Sequence, residues 1–435
     1  MKILFISTFY PPFVIGGWEQ LVEEVNGRLQ TRGHVTHVLT SNYGMSEAKS
    51  HSDSFLTPGS KPSGIDRILT LEANLEHYSP LALFGYSRRL EKNLEATRDT
   101  IQRFQPDVVF IHIMWNLTRG IAWIAEQMCP GRVVYYVADH WPSAPDPHTD
   151  YWTQPATDNL RSAGKRVVAP LALRWIRRSN RDFRLEFQRV LCVSKSIREE
   201  LFDRAVLDPA NIHVVYNGID TSRFSLAASG RVPPNGHLSL LFAGTLVWHK
   251  GVHTAIEAMR VLAARGETQG INLTIVGSGH PDYERQLRGL VKSYNLENLV
   301  EFRGRAQRDE IPSIFRRFDV LVFPSIWEEP LARVTQEAMA SGMVVVGTNT
   351  GGTKEILVDG DTGLTFKVND PECLAQKILQ LKRDPALFDR LSRQGQSKIL
   401  GEFDIEQTVD GMESHLRAVA SLAETRPEAV SSQFA

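Results

Sequence analysis

Two glutamates eight positions apart, Glu329 and Glu337, are the side chains of this chain best placed for recognition chemistry. They lie in the stretch Trp327-Glu328-Glu329-Pro330-Leu331-Ala332-Arg333-Val334-Thr335-Gln336-Glu337-Ala338-Met339-Ala340-Ser341-Gly342. Pro330 disfavours helical φ/ψ at the residue before it, so Glu329 is expected in a loop while Arg333 to Ser341 coils into a helix. Both carboxylates can then face one cleft at a strand's carboxyl end, and a carboxylate can accept two hydrogen bonds from a vicinal diol such as a ribose. The plainer alternative is a solvated loop residue and a solvated helix face. Against it, Ala338, Met339, Ala340 and Gly342 around Glu337 are small or apolar and suit a packed helix, where an unpartnered carboxylate is costly.

A second set of residues could hold an anion. The loop Ala243-Gly244-Thr245-Leu246-Val247-Trp248-His249-Lys250-Gly251 follows an apolar run and opens a helical pattern from Val252 to Ala264. A lysine at a helix N-terminus opposes the macrodipole by roughly 0.3 to 1 kcal/mol, so Lys250 is either a solvated surface lysine or the partner of a phosphate shared with the helix amides. The pairs Gly351-Gly352 and Gly16-Gly17 each precede a helical pattern and read either as ordinary flexible turns or as points of close backbone approach to a phosphate.

The elements that must position these residues alternate along nearly the whole chain, short apolar strands with amphipathic helices, which means parallel sheets with crossover helices. In the first half, Lys2 to Ser7, Val35 to Thr40, Asp107 to Ile113, Arg132 to Ala138 and Arg189 to Ser194 read as strands. Between the first two, Trp18, Leu21, Val22, Val25 and Leu29 recur at helical spacing and Gly33 closes the pattern. After Asn217-Gly218-Ile219-Asp220 a second series begins: Leu238 to Ala243, Asn272 to Val276, Val300 to Phe302, Val320 to Phe323 and Val344 to Gly347. Ser225 to His237, rich in Ser, Ala, Gly and Pro, is the linker candidate. The predicted organisation is α/β, with two doubly wound parallel-sheet domains facing a cleft: residues 1–220, residues 221–402, a returning helix at 403–423 and a disordered tail at 424–435. A length of 435 residues fits two cores better than one.

Composition excludes several classes. Lys plus Arg (49) nearly cancels Asp plus Glu (50), so no global field argues for nucleic acid. Cys129, Cys192 and Cys373 form no CxxC pair, which favours a reducing cytosol over a disulfide framework or zinc site. The apolar start Ile3 to Ile6 is too short for a signal peptide and reads as a buried strand. No apolar run reaches the roughly 20 residues a membrane span needs.

The C-terminal half resembles the retaining glycosyltransferases of family 4, which have the GT-B fold of two Rossmann-like domains. The residues that carry the resemblance are Gly244 with Lys250-Gly251, Val276-Gly277-Ser278-Gly279, Phe302-Arg303-Gly304, Phe323-Pro324-Ser325, the E-x7-E pair Glu329 and Glu337, Glu337-Ala338-Met339-Ala340-x-Gly342, Gly351-Gly352 with Glu355, and Asp359-Gly360 with Gly363. The first half matches more loosely through Pro11-Pro12, Gly16-Gly17 with Glu19, Val193-Ser194, and Asn217-Gly218-Ile219-Asp220 with Phe224.

The resemblance implies hexosyl transfer from a nucleoside-diphosphate sugar to a hydroxyl acceptor (a glycan, a lipid-linked molecule or a small molecule) with retention of anomeric configuration. It implies Lys250 on the donor diphosphate, Glu337 on the ribose hydroxyls and Glu329 on the donor sugar. The Leu331 and Ala332 amides would reach sugar or phosphate, Gly304 and Arg305 would border the base, and Gly16 and Gly17 the phosphate or acceptor. Neither a metal nor a separate cofactor is implied, since lysine and helix dipoles offset the leaving-group charge. Attack is expected on the front face, with the departing phosphate helping to deprotonate the acceptor.

Three positions depart from the family pattern. Thr245 stands where an arginine is usual, a cation that Arg333 could supply. Ala138-Asp139-His140-Trp141 replaces the usual His-Asp-aromatic-Trp, with His140 two positions beyond the missing histidine. Leu331-Ala332 replaces Phe-Gly. Asp139 and His140 follow a strand toward the presumed cleft and are candidates for acceptor or donor contact, beside the reading of a structural histidine.

Between Arg161 and Arg189, nine cations (Arg161, Lys165, Arg166, Arg174, Arg177, Arg178, Arg181, Arg184 and Arg189) face only Asp182 and Glu186, with Leu171, Leu173, Trp175 and Ile176 interleaved. Such a stretch is either a solvated helix face or a surface for peripheral contact with an anionic membrane, which would place a cytoplasmic protein at the inner face of the membrane. Three alternatives to active transfer stand beside the main reading. A sugar-nucleotide-binding protein with reduced or lost transfer is motivated by Thr245 and Ala138, and an epimerase of the same architecture is the second. A nicotinamide oxidoreductase fits the fold but not the motif, since Gly277-Ser278-Gly279 lacks a third glycine at Asp282.

Overall fold

The computed structural model describes residues 1–14, 16–45, 64–75, 78–155, 160–180, 182–204, 207–224 and 236–424. The chain forms two compact units, Met1–Val193 with Ile197–Val215 and Val409–Ala435, and Tyr216–Thr408 with Ser194–Ser196.

The first unit holds seven strands: β1 (Lys2–Ser7), β2 (Val35–Ser41), β3 (Gly64–Leu69), β4 (Val108–Ile113), β5 (Val133–Val137), β6 (Val190–Cys192) and β7 (Ile212–Val214). Their order is β3-β2-β1-β4-β5-β6-β7, and every pair is parallel. Parallel strands covered on both faces read as unbroken apolar runs, and Ile3, Leu4, Phe5 and Ile6 are fully buried accordingly. The helix Trp18–Thr31 buries Leu21, Val22, Val25 and Leu29, the predicted stripe, while Trp18 at its first position is half-buried. Gly33, at φ 88°, makes the turn that follows.

The second unit holds β8 (Leu238–Ala243), β9 (Ile271–Val276), β10 (Val300–Gly304), β11 (Val320–Phe323), β12 (Val344–Gly347) and β13 (Leu364–Thr365), in the order β10-β9-β8-β11-β12-β13 and again wholly parallel. Leu240, Phe242, Leu273, Ile275, Val322 and Val346 from the sheet meet Ile256, Met259 and Leu262 of the helix Val252–Ala264 in one apolar core.

Three strands escape the sequence reading. β7 and β13 have three and two residues, too few for a period to register. β3 carries Asp66 and Arg67 at the sheet's outer edge, which breaks its apolar alternation. The change of unit comes at Tyr216 rather than at 221, because the chain from there is bonded into the second unit: the Ile219 amide donates to the Phe403 carbonyl (3.0 Å) and that of Ile405 to the Ile219 carbonyl (2.9 Å). The helix Ile405–Glu424 belongs to the second unit through Thr408 and to the first from Val409. Within the first unit Glu413 of that helix accepts from Arg32 (2.8 Å) and pairs with His34 (2.9 Å). Most of the linker candidate, 225–235, and all of the predicted tail 424–435 beyond Glu424, which ends the helix, lie outside the described residues.

Candidate active site

In a doubly wound sheet the crevice opens where the strand order reverses. In the second unit that point lies between β8 and β11, so the loops that follow these two strands are the ones that converge. One carries Gly244 to Gly251 and the other Pro324 to Ala332, the segments the sequence reading singled out.

A single 3-10 turn, Trp248–Lys250, ends at Gly251, whose φ of 68° no β-carbon would accept here: one added at this position would stand 1.9 Å from the Pro324 carbonyl oxygen. The glycine thus lets the two loops touch. The Ile326 amide donates to the His249 carbonyl at 2.8 Å, locking them together. Lys250 Nζ then reaches Glu329 Oε1 at 2.6 Å, and the Ser325 hydroxyl donates to the same oxygen at 2.7 Å. Glu329 is buried, so its carboxylate is held by two donors rather than by water.

The pair Gly351-Gly352 has a structural use within the loop itself. The Gly352 amide donates to the Glu329 carbonyl at 2.7 Å, and the Gly351 amide to Glu328 Oε2 at 2.9 Å. A β-carbon on Gly352 would lie 1.8 Å from the Pro330 carbonyl oxygen. Both amides serve to clamp the 328–330 segment, so the pair builds the loop that holds Glu329.

The helix Arg333–Ala340 starts at Ala332, whose side chain cannot cap it, leaving the positive end of the helix open to an anion. The Leu331 and Ala332 side chains are buried, as is Arg333 at the first helical position. One turn on, Glu337 is buried and accepts from Arg308 Nη1 at 2.6 Å. This is the partner that a carboxylate amid small apolar residues requires. Arg308 was not singled out in the sequence, where Arg305 stood for this loop. Arg305 is exposed, and it is Arg308, whose guanidinium lies over the Phe224 ring at 5.8 Å, that meets Glu337. Thr245 and Gly244 are exposed in the loop after β8. Ser325 was visible within Phe323-Pro324-Ser325 but without a role.

The remaining candidates sit in the first unit, on loops at the carboxyl ends of β1 and β5. Gly16 is exposed, its amide donating to Glu19 Oε2 at 3.0 Å, and Gly17 opens the helix Trp18–Thr31 without a side-chain cap. Asp139 stands two residues beyond the end of β5. Burial pushes its carboxyl up to about 6, against the opposing pull of the Trp141 amide, which donates to Oδ1 at 3.3 Å, and of nearby His140. His140 Nδ1 lies 2.5 Å from Glu200 Oε2, and Ser143 donates to the other Glu200 oxygen at 2.8 Å. Glu200 orients the imidazole, a partner the sequence hid because Glu200 and Arg204 there look like an ordinary i,i+4 surface pair. Among the described residues no group of three or more His, Cys, Asp or Glu side chains is placed to hold a metal ion, and no helix is long and apolar enough to cross a membrane.

Comparison with known proteins agrees with this geometry. The family model of the glycosyl transferases group 1 matches residues 231–398, and that of Glycosyltransferase Family 4 matches residues 15–223. Over 438 residues the chain is 27% identical to the glycogen synthase of Mycobacterium tuberculosis, covering 98% of this chain and 97% of that protein. Among solved structures, the sucrose-phosphate synthase of Thermosynechococcus elongatus superposes with a TM-score of 0.70 at 20% identity, covering 97% of this chain and 99% of the other. Anabaena HepE, solved in complex with UDP-glucose, gives 0.66 at 19% identity, covering 96% and 100%. With one family model on each half of the chain, a relative similar along nearly its full length and the same fold in these neighbours, the chain belongs to the group 1 glycosyltransferases of GT-B fold.

Proposed function

We propose that the protein is a retaining glycosyltransferase that moves a hexosyl group from a nucleoside-diphosphate sugar to a hydroxyl acceptor without a metal ion. The observation that carries this reading is the convergence, at the switch point of the second unit, of Lys250, Glu329 and the open start of the helix Arg333–Ala340, with Glu337 and its partner Arg308 one turn further along.

The chemistry follows from the charges. Lys250 and the first-turn amides of the helix receive the diphosphate and offset the charge that grows on it as the glycosidic bond breaks. Glu337 accepts from the ribose hydroxyls, and Glu329 from hydroxyls of the donor sugar. The leaving phosphate oxygen takes the acceptor's proton on the face it departs from, so the configuration is kept and no protein nucleophile is used. Asp139 and His140 contact the acceptor or the transferred sugar. The name of the Mycobacterium tuberculosis relative makes glucosyl donors the first to test.

A thermal-shift panel of UDP, GDP and ADP with their glucose conjugates identifies the base, since a ligand at 100 times its dissociation constant stabilises the folded state by about 2.7 kcal/mol. Proton NMR of the product then gives the anomeric configuration. An inverted product overturns retention, and turnover abolished by EDTA and restored by a divalent cation overturns metal independence. Tight donor binding with neither hydrolysis nor transfer across an acceptor panel would instead support a sugar-nucleotide-binding protein, the reading that Thr245 favours.

A further inference from the structure

Four of the most exposed large apolar side chains of the described residues stand on two neighbouring elements of the first unit: Leu81 (72% exposed) and Phe84 (89%) on the 3-10 helix Pro80–Gly85, and Val167 (75%) and Leu171 (70%) on the helix Leu160–Asn180. The two elements are packed together. Leu83 sits on the small core formed by Trp152, Ala172 and Ile176, and the ring of Tyr86, which directly follows the 3-10 helix, meets Trp175 edge-on with centroids 5.3 Å apart. The Tyr86 hydroxyl also donates to Asn180. The inward stripe of the long helix is thereby used, and at helical spacing Val167, Leu171, Arg174 and Arg178 fall on the opposite, outward side.

The charge carried by these two elements has one sign. From Leu160 to Asn180 the sequence has Arg161, Lys165, Arg166, Arg174, Arg177 and Arg178 and no acid, and Pro80 to Gly85 has no charge at all. Arg174, Arg177 and Arg178 are exposed, and Arg88, just beyond the 3-10 helix, is exposed too. An exposed apolar patch whose own two elements carry cations and no acid matches a surface that is apolar within and negative at its rim. That is the profile of a bilayer carrying anionic headgroups, where the apolar side chains enter the acyl boundary and the guanidinium groups stay at the phosphates. A second protein would have to supply an apolar face ringed by acids.

We propose that this face, Leu81 and Phe84 with Val167 and Leu171 at its apolar centre and Arg174, Arg177 and Arg178 at its edge, docks the protein peripherally on an anionic lipid bilayer. The sequence suggests only the basic helix. The wedge contributed by Leu81 and Phe84 emerges from the packing of the two elements. The assignment does not depend on the transferase reading.

Flotation of the full chain with vesicles of phosphatidylcholine containing 30% phosphatidylglycerol, against vesicles of phosphatidylcholine alone, tests it. Binding is expected to the anionic vesicles only and to fall at least tenfold in 0.5 M NaCl, where screening is within about 5 Å. The double variant Leu81→Asp/Phe84→Asp and, separately, Arg177→Glu/Arg178→Glu should each lose tenfold or more while keeping the wild-type near-ultraviolet circular dichroism and melting temperature. Wild-type protein that does not float, or folded Leu81→Asp/Phe84→Asp protein that floats unchanged, overturns the proposal. So does sedimentation showing a wild-type dimer that the same double variant dissolves, since the face would then be a contact between copies of the chain.

Discussion

The candidate residues of the two units occupy equivalent places, loops at the carboxyl ends of parallel strands, yet their charges are handled in opposite ways. In the second unit each recognition carboxylate has its own cation, Glu329 with Lys250 and Glu337 with Arg308, both at 2.6 Å. In the first, Asp139 receives a long backbone hydrogen bond and burial raises its carboxyl to about 6, while His140 is tied to another carboxylate, Glu200. A charge-balanced pair is a preorganised holder, since its hydrogen-bond geometry is set before a ligand arrives. A carboxyl poised near its titration point suits a group that meets a hydroxyl and responds to pH. The difference is what the proposed function asks for, with donor binding in the second unit and a pH-sensitive group in the first.

The largest effect should come from breaking the holder. Lys250→Ala or Glu329→Ala is expected to lower kcat/KM for transfer by about 10² to 10³-fold, the range for removing one preorganised charge from a developing transition state. Steady-state kinetics that leave either variant within a factor of three of wild type would end the role given to the pair. Next in size is Asp139→Asn, expected to cut turnover roughly 10²-fold. Because Asp139 is half ionised near pH 6 and ionised above it, wild-type turnover should rise through pH 6, and the Asn variant should show no such limb. Nucleotide binding measured over the same pH range should lack it in both proteins. A limb that survives in Asp139→Asn belongs to another group.

Glu337→Gln sharpens the same contrast from the other side. It weakens a buried charge-assisted hydrogen bond worth about 1.5 to 3 kcal/mol, so nucleoside-diphosphate affinity should fall roughly 10- to 100-fold in calorimetry, with the pH limb unmoved. The smallest effect concerns stability alone. Burial works against the ionised Glu413, but hydrogen bonds from Arg32, His34 and Arg417 outweigh it and hold its carboxyl at about 2, below the ordinary 4.5. That depression stabilises the folded state fully above the ordinary value and is lost as pH falls from 4.5 toward 2. Glu413→Gln should therefore lower Tm at pH 7 by about 2 °C and make no difference near pH 2. An equal deficit at both pH values would mean that packing, rather than charge, is what the substitution removes.

Much of this was legible in the chain because it is written locally. The strand at Lys2–Ser7, the stripe Leu21, Val22, Val25 and Leu29, and the loop-then-helix that Pro330 imposes on Glu329 and Glu337 each need only a few neighbouring residues. What was not legible depends on distant segments. The two- and three-residue edge strands exist because a neighbouring strand offers them hydrogen bonds, and the sequence around Gly351-Gly352 carries no sign of the 328–330 backbone that packs against the pair. Arg305 and Arg308 are equally basic in sequence, and only the packing around Phe224 distinguishes them.

The sequence by itself determined the parallel architecture, the placing of recognition residues on strand-to-helix loops and the family pattern of glycine, lysine and paired glutamates, because periodicity and backbone preference act over a few residues. The tertiary structure alone decided which cation meets which carboxylate, Lys250 reaching Glu329 across 79 positions and Arg308 reaching Glu337 across 29, and that Leu81 and Phe84 join the basic helix in one face. Pairings of this kind are set by the crossing of strands and the docking of helices, and distance along the chain carries no record of them.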